Sequence, residues 1–508
     1  MKKIILSLLV TLVFSLQVFS NDDVSLREMF QNNKSVIYSV NIRSFNSNDV
    51  NGNGIIDFAL GETSGSFVNA VERLDELKEL GINTIHLLPI NPVGKIKALG
   101  TAGSLYALSD FLSLNPQLFD NDSDLSLKEQ AKYFVSECHK RNIKVIVDLP
   151  SCGSFDYFLN RPDLFVRDKD DNAYIPLDWT DVRLFDVPND KSLFKSDIFI
   201  LHKLFVKNSI DLGFDGIRAD VATLKPFIFW KELIKYSREI KPDFMFLAEA
   251  SENWTQPVSE KAYFTDYKKL LEAGFDGYYG NYFDLKNWNK MSDLSLSIFN
   301  QQKILKKYRE KKSVIGSFAT HDVISPLITG GENFSKIIIW LNATLPLNPY
   351  YVDGFLQADD YIYDYSNKKA YETFTDDEYY YVHQGQIDIF NFSRKPVSNN
   401  NILLQEQKIA MDLREKFIDV ISKGTFVPLK SNNENVFAYK RCHGKASVYV
   451  IINRNLANSE NVKIKFGKIN KKSKISYFKS SSLINVEKSI LSGRLKPAEI
   501  VVFSVEKL

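Results

Sequence analysis

Apolar residues in this chain follow two rhythms. Short, mostly apolar runs occur at Val36–Ile42, Thr84–Leu88, Lys144–Asp148, Gly216–Asp220, Phe244–Glu249 and Ser313–Phe318. Runs with little polar alternation predict strands buried on both faces, as in a parallel sheet. Between them, apolar positions recur at helical spacing over Phe67–Leu80, Leu127–Asn142, Ser192–Ser209, Lys225–Ile240 and Ile298–Glu310. Strand alternating with helix argues for parallel pairing through crossover helices. A weaker strand is expected near Gly274–Phe283 and a last one near Leu341–Leu345. The pattern changes after about Lys423, where Asn435–Tyr439 and Ala446–Asn453 become β-type. Lys463–Lys474 alternates apolar and charged residues, as a solvated strand edge does. Gly424–Leu508 is therefore read as a β-sandwich.

Three of the apolar runs end in acids. Gly213-Phe214-Asp215-Gly216-Ile217-Arg218-Ala219-Asp220 reads as a strand closing on a carboxylate. Residues two apart share a strand face, so Arg218 and Asp220 point the same way. A guanidinium beside a carboxylate holds it ionised and orients it, which suits a carboxylate nucleophile. Phe244–Ala248 leads into Glu249, and Ser313–Thr320 leads into His321-Asp322. Any one of these acids alone could be a surface ion pair or a helix N-cap. Three together, one beside Arg and one beside His, point to a catalytic site.

On these motifs the chain resembles the α-amylase family of glycoside hydrolases, from about Ser35 to the C-terminus. Gly213–Asp220 is similar to the family's nucleophile strand, Phe246–Glu249 to its acid/base strand, and His321-Asp322 to its His-Asp pair. Ile37–Phe45 resembles the first barrel strand, Leu77–Pro89 the first helix and second strand, and Tyr106–Phe111 the tyrosine motif beside the cleavage point. The resemblance implies an α/β chain: a (β/α)8 TIM barrel over 21–423, a short inserted subdomain after strand three at 149–194, and a C-terminal all-β sandwich over 424–508. Residues at the C-terminal ends of such strands face one mouth. That would bring Asp148, Asp220, Glu249 and Asp322 together. By resemblance Asp220 is the nucleophile, Glu249 the acid/base and Asp322 the third catalytic carboxylate. Arg218 positions Asp220, His321 bonds the sugar, and Tyr106 stacks under it. The expected activity is retaining hydrolysis of starch-derived maltodextrins. Glucanotransfer on the same machinery and a non-catalytic sugar-binding role are the alternatives.

Some positions depart from the family pattern. Cys152 and Gly153 stand where an Asn-His pair is usual, so the histidine that helps hold the sugar is missing. Thr223-Leu224 replaces a Lys-His pair, and Thr320 replaces the asparagine before His-Asp.

Near the first strand, Asp49, Asn51, Asn53 and Asp57 place oxygen side chains at intervals around Gly52 and Gly54, and Ile55 can add its carbonyl. Hard cations take such oxygen sets, so one structural Ca²⁺ is expected there, against a metal-free Asn-Gly turn. The start of the chain, Met1-Lys2-Lys3 followed by the apolar Ile4–Leu16, reads as a signal peptide over 1–20. It predicts a secreted or periplasmic protein without a stable membrane anchor. A net charge of +2 gives no bulk attraction to nucleic acid. Cys138, Cys152 and Cys442 fit no zinc spacing, and no disulfide is expected among them.

Overall fold

A computed structural model describes residues 24–50, 56–98, 103–358 and 401–507, less positions 178, 324, 468, 470, 471, 482, 483 and 488. The expected leader at 1–20 and the loop residues Asn51, Asn53 and Ile55 lie outside the described residues.

Eight parallel strands form one sheet: Ile37–Val40, Thr84–Leu87, Lys144–Leu149, Gly216–Ala219, Met245–Ala248, Gly277–Tyr278, Ser313–Val314 and Tyr350–Val352. The last strand pairs with the first, Ile37 opposite Tyr350. A bridge between Ile315 and Asn348 joins the seventh strand to the eighth and closes the barrel. There Gly316 N–H donates to the Asn348 carbonyl and Asn348 N–H to that of Val314, both at 2.9 Å.

Strand periodicity sorts the side chains. Val145, Val147, Ile217, Phe246 and Ala248 point outward into the core shared with the helices. Their neighbours Ile146, Met245 and Leu247 point inward, with Ile37, Tyr279, Ile315 and Tyr350. Leu26 and Phe30, from the helix Leu26–Gln31, join that interior cluster. Phe30 sits so close to the sixth strand that a Cβ at Gly277 would come within 2.4 Å of its ring.

Three expectations change. The run near Leu341–Leu345 falls within and just after the helix Pro326–Thr344, and the eighth strand follows Pro349. Ile337, Ile338, Ile339, Trp340, Leu341 and Ala343 are all buried, so the last turns of this helix are buried on every side and mostly apolar. Periodicity cannot separate such a run from a buried strand. The helix expected at Ile298–Glu310 starts earlier and spans Met291–Leu305. Finally, the lysine-rich alternation does not mark an edge. Glu460–Lys465 pairs on one side with Lys430–Ser431 and on the other with Ile490–Leu495. Its alternation instead reflects one face on the sandwich core, where Val462 and Ile464 are buried, and one face in water. The edge strand is the next one, Lys474–Lys479.

After the third strand, Cys152–Ser154 and Val182–Leu184 form a small antiparallel pair. The excursion is packed by rings: Phe165 lies 4.8 Å from Phe185 between centroids, and Tyr157 and Phe158 stand edge-on to Phe165. The C-terminal strands begin at Thr425 and form a five-stranded and a four-stranded antiparallel sheet. A separate hydrophobic cluster, including Val436, Tyr449, Ile464, Leu491 and Phe503, lies between them. All three cysteines are free thiols.

Two buried arginines meet the end of the helix Pro326–Thr344, one from the barrel's own last long helix and one from the β domain. Arg414, from the helix Ile402–Lys416, donates to the carbonyls of Ala343 at 2.9 Å, Asn33 at 2.6 Å and Leu347 at 3.1 Å. Arg441, from the strand Val436–His443, donates to those of Thr344 at 2.9 Å and Gly424 at 2.8 Å. Ala343 and Thr344 end the helix Pro326–Thr344, whose last carbonyls carry partial negative charge. The guanidinium groups therefore complete hydrogen bonds that the helix end cannot make itself. Arg414→Met should leave buried carbonyls unsatisfied, each worth about 1–3 kcal/mol. For a chain of this size that lowers the melting temperature by a few degrees, roughly 1 °C per kcal/mol. Thermal denaturation followed by circular dichroism checks this, and an unchanged melting temperature would contradict it.

Candidate active site

The fourth, fifth and seventh strands each lead into an acid at one end of the barrel: Asp220, Glu249 and Asp322. Asp148 lies one residue before the end of the third strand. The inward alternation that carries Ile146 and Met245 into the interior also carries Asp148, Arg218 and Glu249 toward the mouth.

Arg218 is the centre of the cluster and is fully buried. Its Nη1 donates to Asp148 Oδ1 at 2.9 Å and Oδ2 at 2.8 Å, and to Asp220 Oδ1 at 3.1 Å. Nη2 lies 2.9 Å from Glu249 Oε2, close enough for an ion pair but without the alignment of a hydrogen bond. Nε donates to the Tyr279 hydroxyl at 3.0 Å. One cation thus contacts three carboxyl groups. The second oxygen of Asp220 accepts from Ser151 N–H at 2.9 Å. Glu249 Oε2 also accepts from Val221 N–H at 2.6 Å. Val221 has φ of +30°, a left-handed conformation that strains a β-branched residue and turns its amide to the acid.

Tyr106 lies across the cluster. Its hydroxyl donates to Asp148 Oδ2 at 2.9 Å and meets His321 Nε2 at 2.8 Å. The two rings are nearly parallel, 5.5 Å apart. His321 Nε2 also lies 3.3 Å from Asp322 Oδ1. All six residues expected to act on substrate therefore come together.

One cation cannot keep three buried carboxyls charged equally. Burial opposes ionisation of Asp148, but Arg218 and His86 outweigh it and hold that carboxyl below its usual range. Burial pushes Asp220 up to about 6, against the pull of Arg218. Burial pushes Glu249 well above the usual glutamate range, and the charges of Asp220 and Asp322 add to the effect against Arg218. Asp322 is raised by burial as well, although 28 % of its side chain stays exposed. Burial, helped by the charge of Arg218, lowers His321 to about 3, so its imidazole is neutral. Burial and its neighbours' charges thus favour the proton on Glu249 over Asp220.

Other residues of the cluster carry no motif. His86, from the second strand, lies 3.4 Å from Asp148 Oδ2 and 3.1 Å from the Tyr350 hydroxyl. Tyr279, Tyr350, Ser151 and Lys225 are equally part of it. Inward alternation could have suggested His86, which sits mid-strand among apolar residues. Nothing local marks Ser151 or Lys225.

At the expected calcium loop only Asp49 and Asp57 are described among the side-chain ligands. Asp57 Oδ1 caps a short 3-10 turn by accepting from Ala59 N–H at 2.8 Å. Glu62, absent from the expected ligand set, is buried and accepts from Val50 N–H at 3.0 Å and Asp57 N–H at 2.8 Å. It therefore ties the two ends of the loop together. No group of three or more His, Cys, Asp or Glu residues able to hold a metal occurs among the described residues.

No protein-family model matches the chain. In sequence it is 29% identical over 202 residues to a maltogenic α-amylase of Bacillus acidopullulyticus, covering 36% of this chain and 32% of that protein. It is 27% identical over 227 residues to an α-1,4-glucan:maltose-1-phosphate maltosyltransferase of Bifidobacterium animalis, covering 42% of this chain and 29% of that protein. The matched region is thus about a third of the length of these relatives. In structure it matches a maltogenic α-amylase of Thermotoga neapolitana with a TM-score of 0.68 at 19% identity, covering 94% of this chain and 99% of the other. An α-amylase of Lactobacillus plantarum matches with a TM-score of 0.68 at 17% identity, covering 93% and 99%. At such identities the structural matches establish the shared fold.

Gly153, where a histidine was expected by resemblance, has no room for a side chain. A Cβ there would lie 2.8 Å from both Phe165 Cζ and Phe185 Cζ. The ring cluster of the inserted segment fills the space. Gly153→Ala should therefore force those rings apart and cost about 1–3 kcal/mol. The check is a melting curve, in which the variant should unfold at lower temperature than the parent.

Proposed function

We infer that this chain, whose homologues and structural neighbours are glycoside hydrolases of the α-amylase family, is itself a retaining hydrolase of α-glucans. The observation that carries the reading is the shared guanidinium. Arg218 touches both Asp220 and Glu249, yet burial raises Glu249 well above its usual range and Asp220 only to about 6, so the pair favours its proton on Glu249. Double displacement needs a close carboxyl pair, about 5–5.5 Å apart, one charged and one protonated.

Asp220 attacks the anomeric carbon while Glu249 gives its proton to the leaving glycosidic oxygen. A glycosyl-enzyme forms and the aglycone departs. Glu249, now anionic, takes a proton from water. The water oxygen attacks the anomeric carbon, and the bond to Asp220 breaks. Asp322 and the neutral His321 are placed to bond sugar hydroxyls, and Tyr106 offers a ring face beside them. Maltodextrins derived from starch are the proposed substrates.

Transfer to a second sugar in place of water is the alternative reading. Relatives in Bifidobacterium animalis and Myxococcus xanthus that are named maltosyltransferases favour it. Products longer than the substrate, formed from maltotriose, would decide for transfer. A purely sugar-binding role is disfavoured because Asp220, Glu249 and Asp322 are all present. Export is also proposed, on the apolar segment Ile4–Leu16. Among the described residues no helix is long and apolar enough to cross a membrane.

Asp220→Asn keeps the shape and removes the attacking charge. Turnover of every α-glucoside should fall by about 10⁴-fold or more. Glu249→Gln loses the acid, so it should fail on maltodextrins but still be glycosylated by a maltosyl fluoride, whose leaving group needs no proton. Steady-state rates on both substrates test the pair. Full activity of Asp220→Asn would remove the assignment.

Calcium is the proposed occupant of the loop formed by Asp49, Asn51, Asn53, Ile55 and Asp57. A ligand held only by the folded state raises the melting temperature. Added chelator should lower it and calcium should restore it, with about one ion per chain by elemental analysis. A melting temperature indifferent to chelator, with no calcium found, would overturn the assignment.

A further inference from the structure

Lys225 is a lysine that the mechanism does not use. It follows the short turn Ala222–Leu224 after the nucleophile, and only 1 % of it is exposed. Its Nζ donates to Ser151 Oγ at 3.0 Å and to the Ser151 carbonyl at 3.2 Å. Ser151 in turn holds Asp220 twice: its N–H donates to Oδ2 at 2.9 Å, and its hydroxyl donates to the Asp220 carbonyl. Phe229 and Trp230 close the other side, with ring centroids 5.9 and 5.8 Å from Nζ.

We propose that Lys225 is a positioning residue for the nucleophile, acting through Ser151 to fix the place of Asp220 and to keep it anionic. The proposal rests on the reading of Asp220 as nucleophile. Burying an ammonium group is costly unless a charge nearby compensates it. Among the described residues Lys225 makes no direct ion pair. Asp220 is the carboxylate whose charge it feels, one serine away. Arg218 supports Oδ1 of the nucleophile but is shared with Asp148 and Glu249. Oδ2 depends on the Ser151 amide, and that amide is held where it is by Lys225. Cys152 and His202 are the other titratable groups that sense Lys225. Burial keeps the Cys152 thiol protonated and the His202 ring neutral, so neither competes for its charge.

The sign of the effect follows. A cation near a carboxylate favours its charged form, so removing the cation raises the pKa of Asp220. Activity that requires ionised Asp220 is then lost at higher pH. The experiment measures kcat and KM against pH, on maltosyl fluoride and on maltodextrin, for the parent chain, Lys225→Met and Lys225→Gln. Lys225→Met should lower kcat at pH 7 by about 10–100-fold, move the acid limb up by about one pH unit and change KM by less than about threefold. Lys225→Gln keeps a donor without the charge. It should recover part of kcat while its acid limb stays displaced. If Lys225→Met does not fold, Lys225→Gln alone carries the test. An unmoved acid limb, in a folded Lys225→Gln with parent-like kcat, overturns the proposal. The underlying reading fails separately: an inactive parent chain, or an active Asp220→Asn, removes the nucleophile itself.

Discussion

One buried guanidinium contacting three carboxyl groups is the constraint on which the rest of this site depends. Arg218 can neutralise one negative charge, yet Asp148, Asp220 and Glu249 all touch it. Desolvation makes a surplus of buried anions expensive, so a proton must remain in the cluster. Position decides which acid keeps it. Asp148 takes two short contacts to Nη1 with His86 nearby, and it is the acid held below its usual range. Glu249 has the less well aligned contact and the strongest opposition from its neighbours. Which of the three acids is most readily protonated thus follows from the charges packed around them, with Arg218 at the centre.

The barrel exists in a form that makes this balance possible. Its interior is apolar beneath the site, with Ile146, Met245, Leu247 and Phe30, and becomes polar at the level of Asp148, Arg218 and Tyr279. A cation at that depth is tolerated only because every strand around it contributes a partner or a wall. The far side of the barrel solves a related problem with the opposite sign. There the carbonyls at the end of the helix Pro326–Thr344 are met by Arg414 and Arg441. Through Arg441 the β domain is bonded to a main-chain carbonyl of the barrel, a contact that asks little of the sequence on the barrel side.

Much of this was legible in the sequence, for reasons that can be stated. A carboxylate at the end of an apolar run is a local signal, so Asp220, Glu249 and Asp322 stood out, and strand alternation gave Arg218 its direction. The eighth strand was hidden because it has only three residues, Tyr350–Val352, and follows a helix whose last turns are mostly apolar and buried all round. Lys225 and Ser151 were hidden because their contact joins loops 74 residues apart, and no periodicity reports on such a meeting. Gly153 read as a missing side chain. The structure turns that into a positive statement: two phenylalanine rings occupy its place.

The strained backbone at Val221 has a consequence for direction. Its amide and Arg218 Nη2 both face Glu249 Oε2, and both can only donate. Two donors facing that oxygen favour placing the acid's hydrogen on Oε1. If Glu249 is the acid, as proposed above, its proton would be offered from the Oε1 edge of the carboxyl group. A glycosidic oxygen presented to the other edge would meet only a lone pair. On that proposal, linkage orientation would be selected at the acid itself, even where the sugar ring would fit.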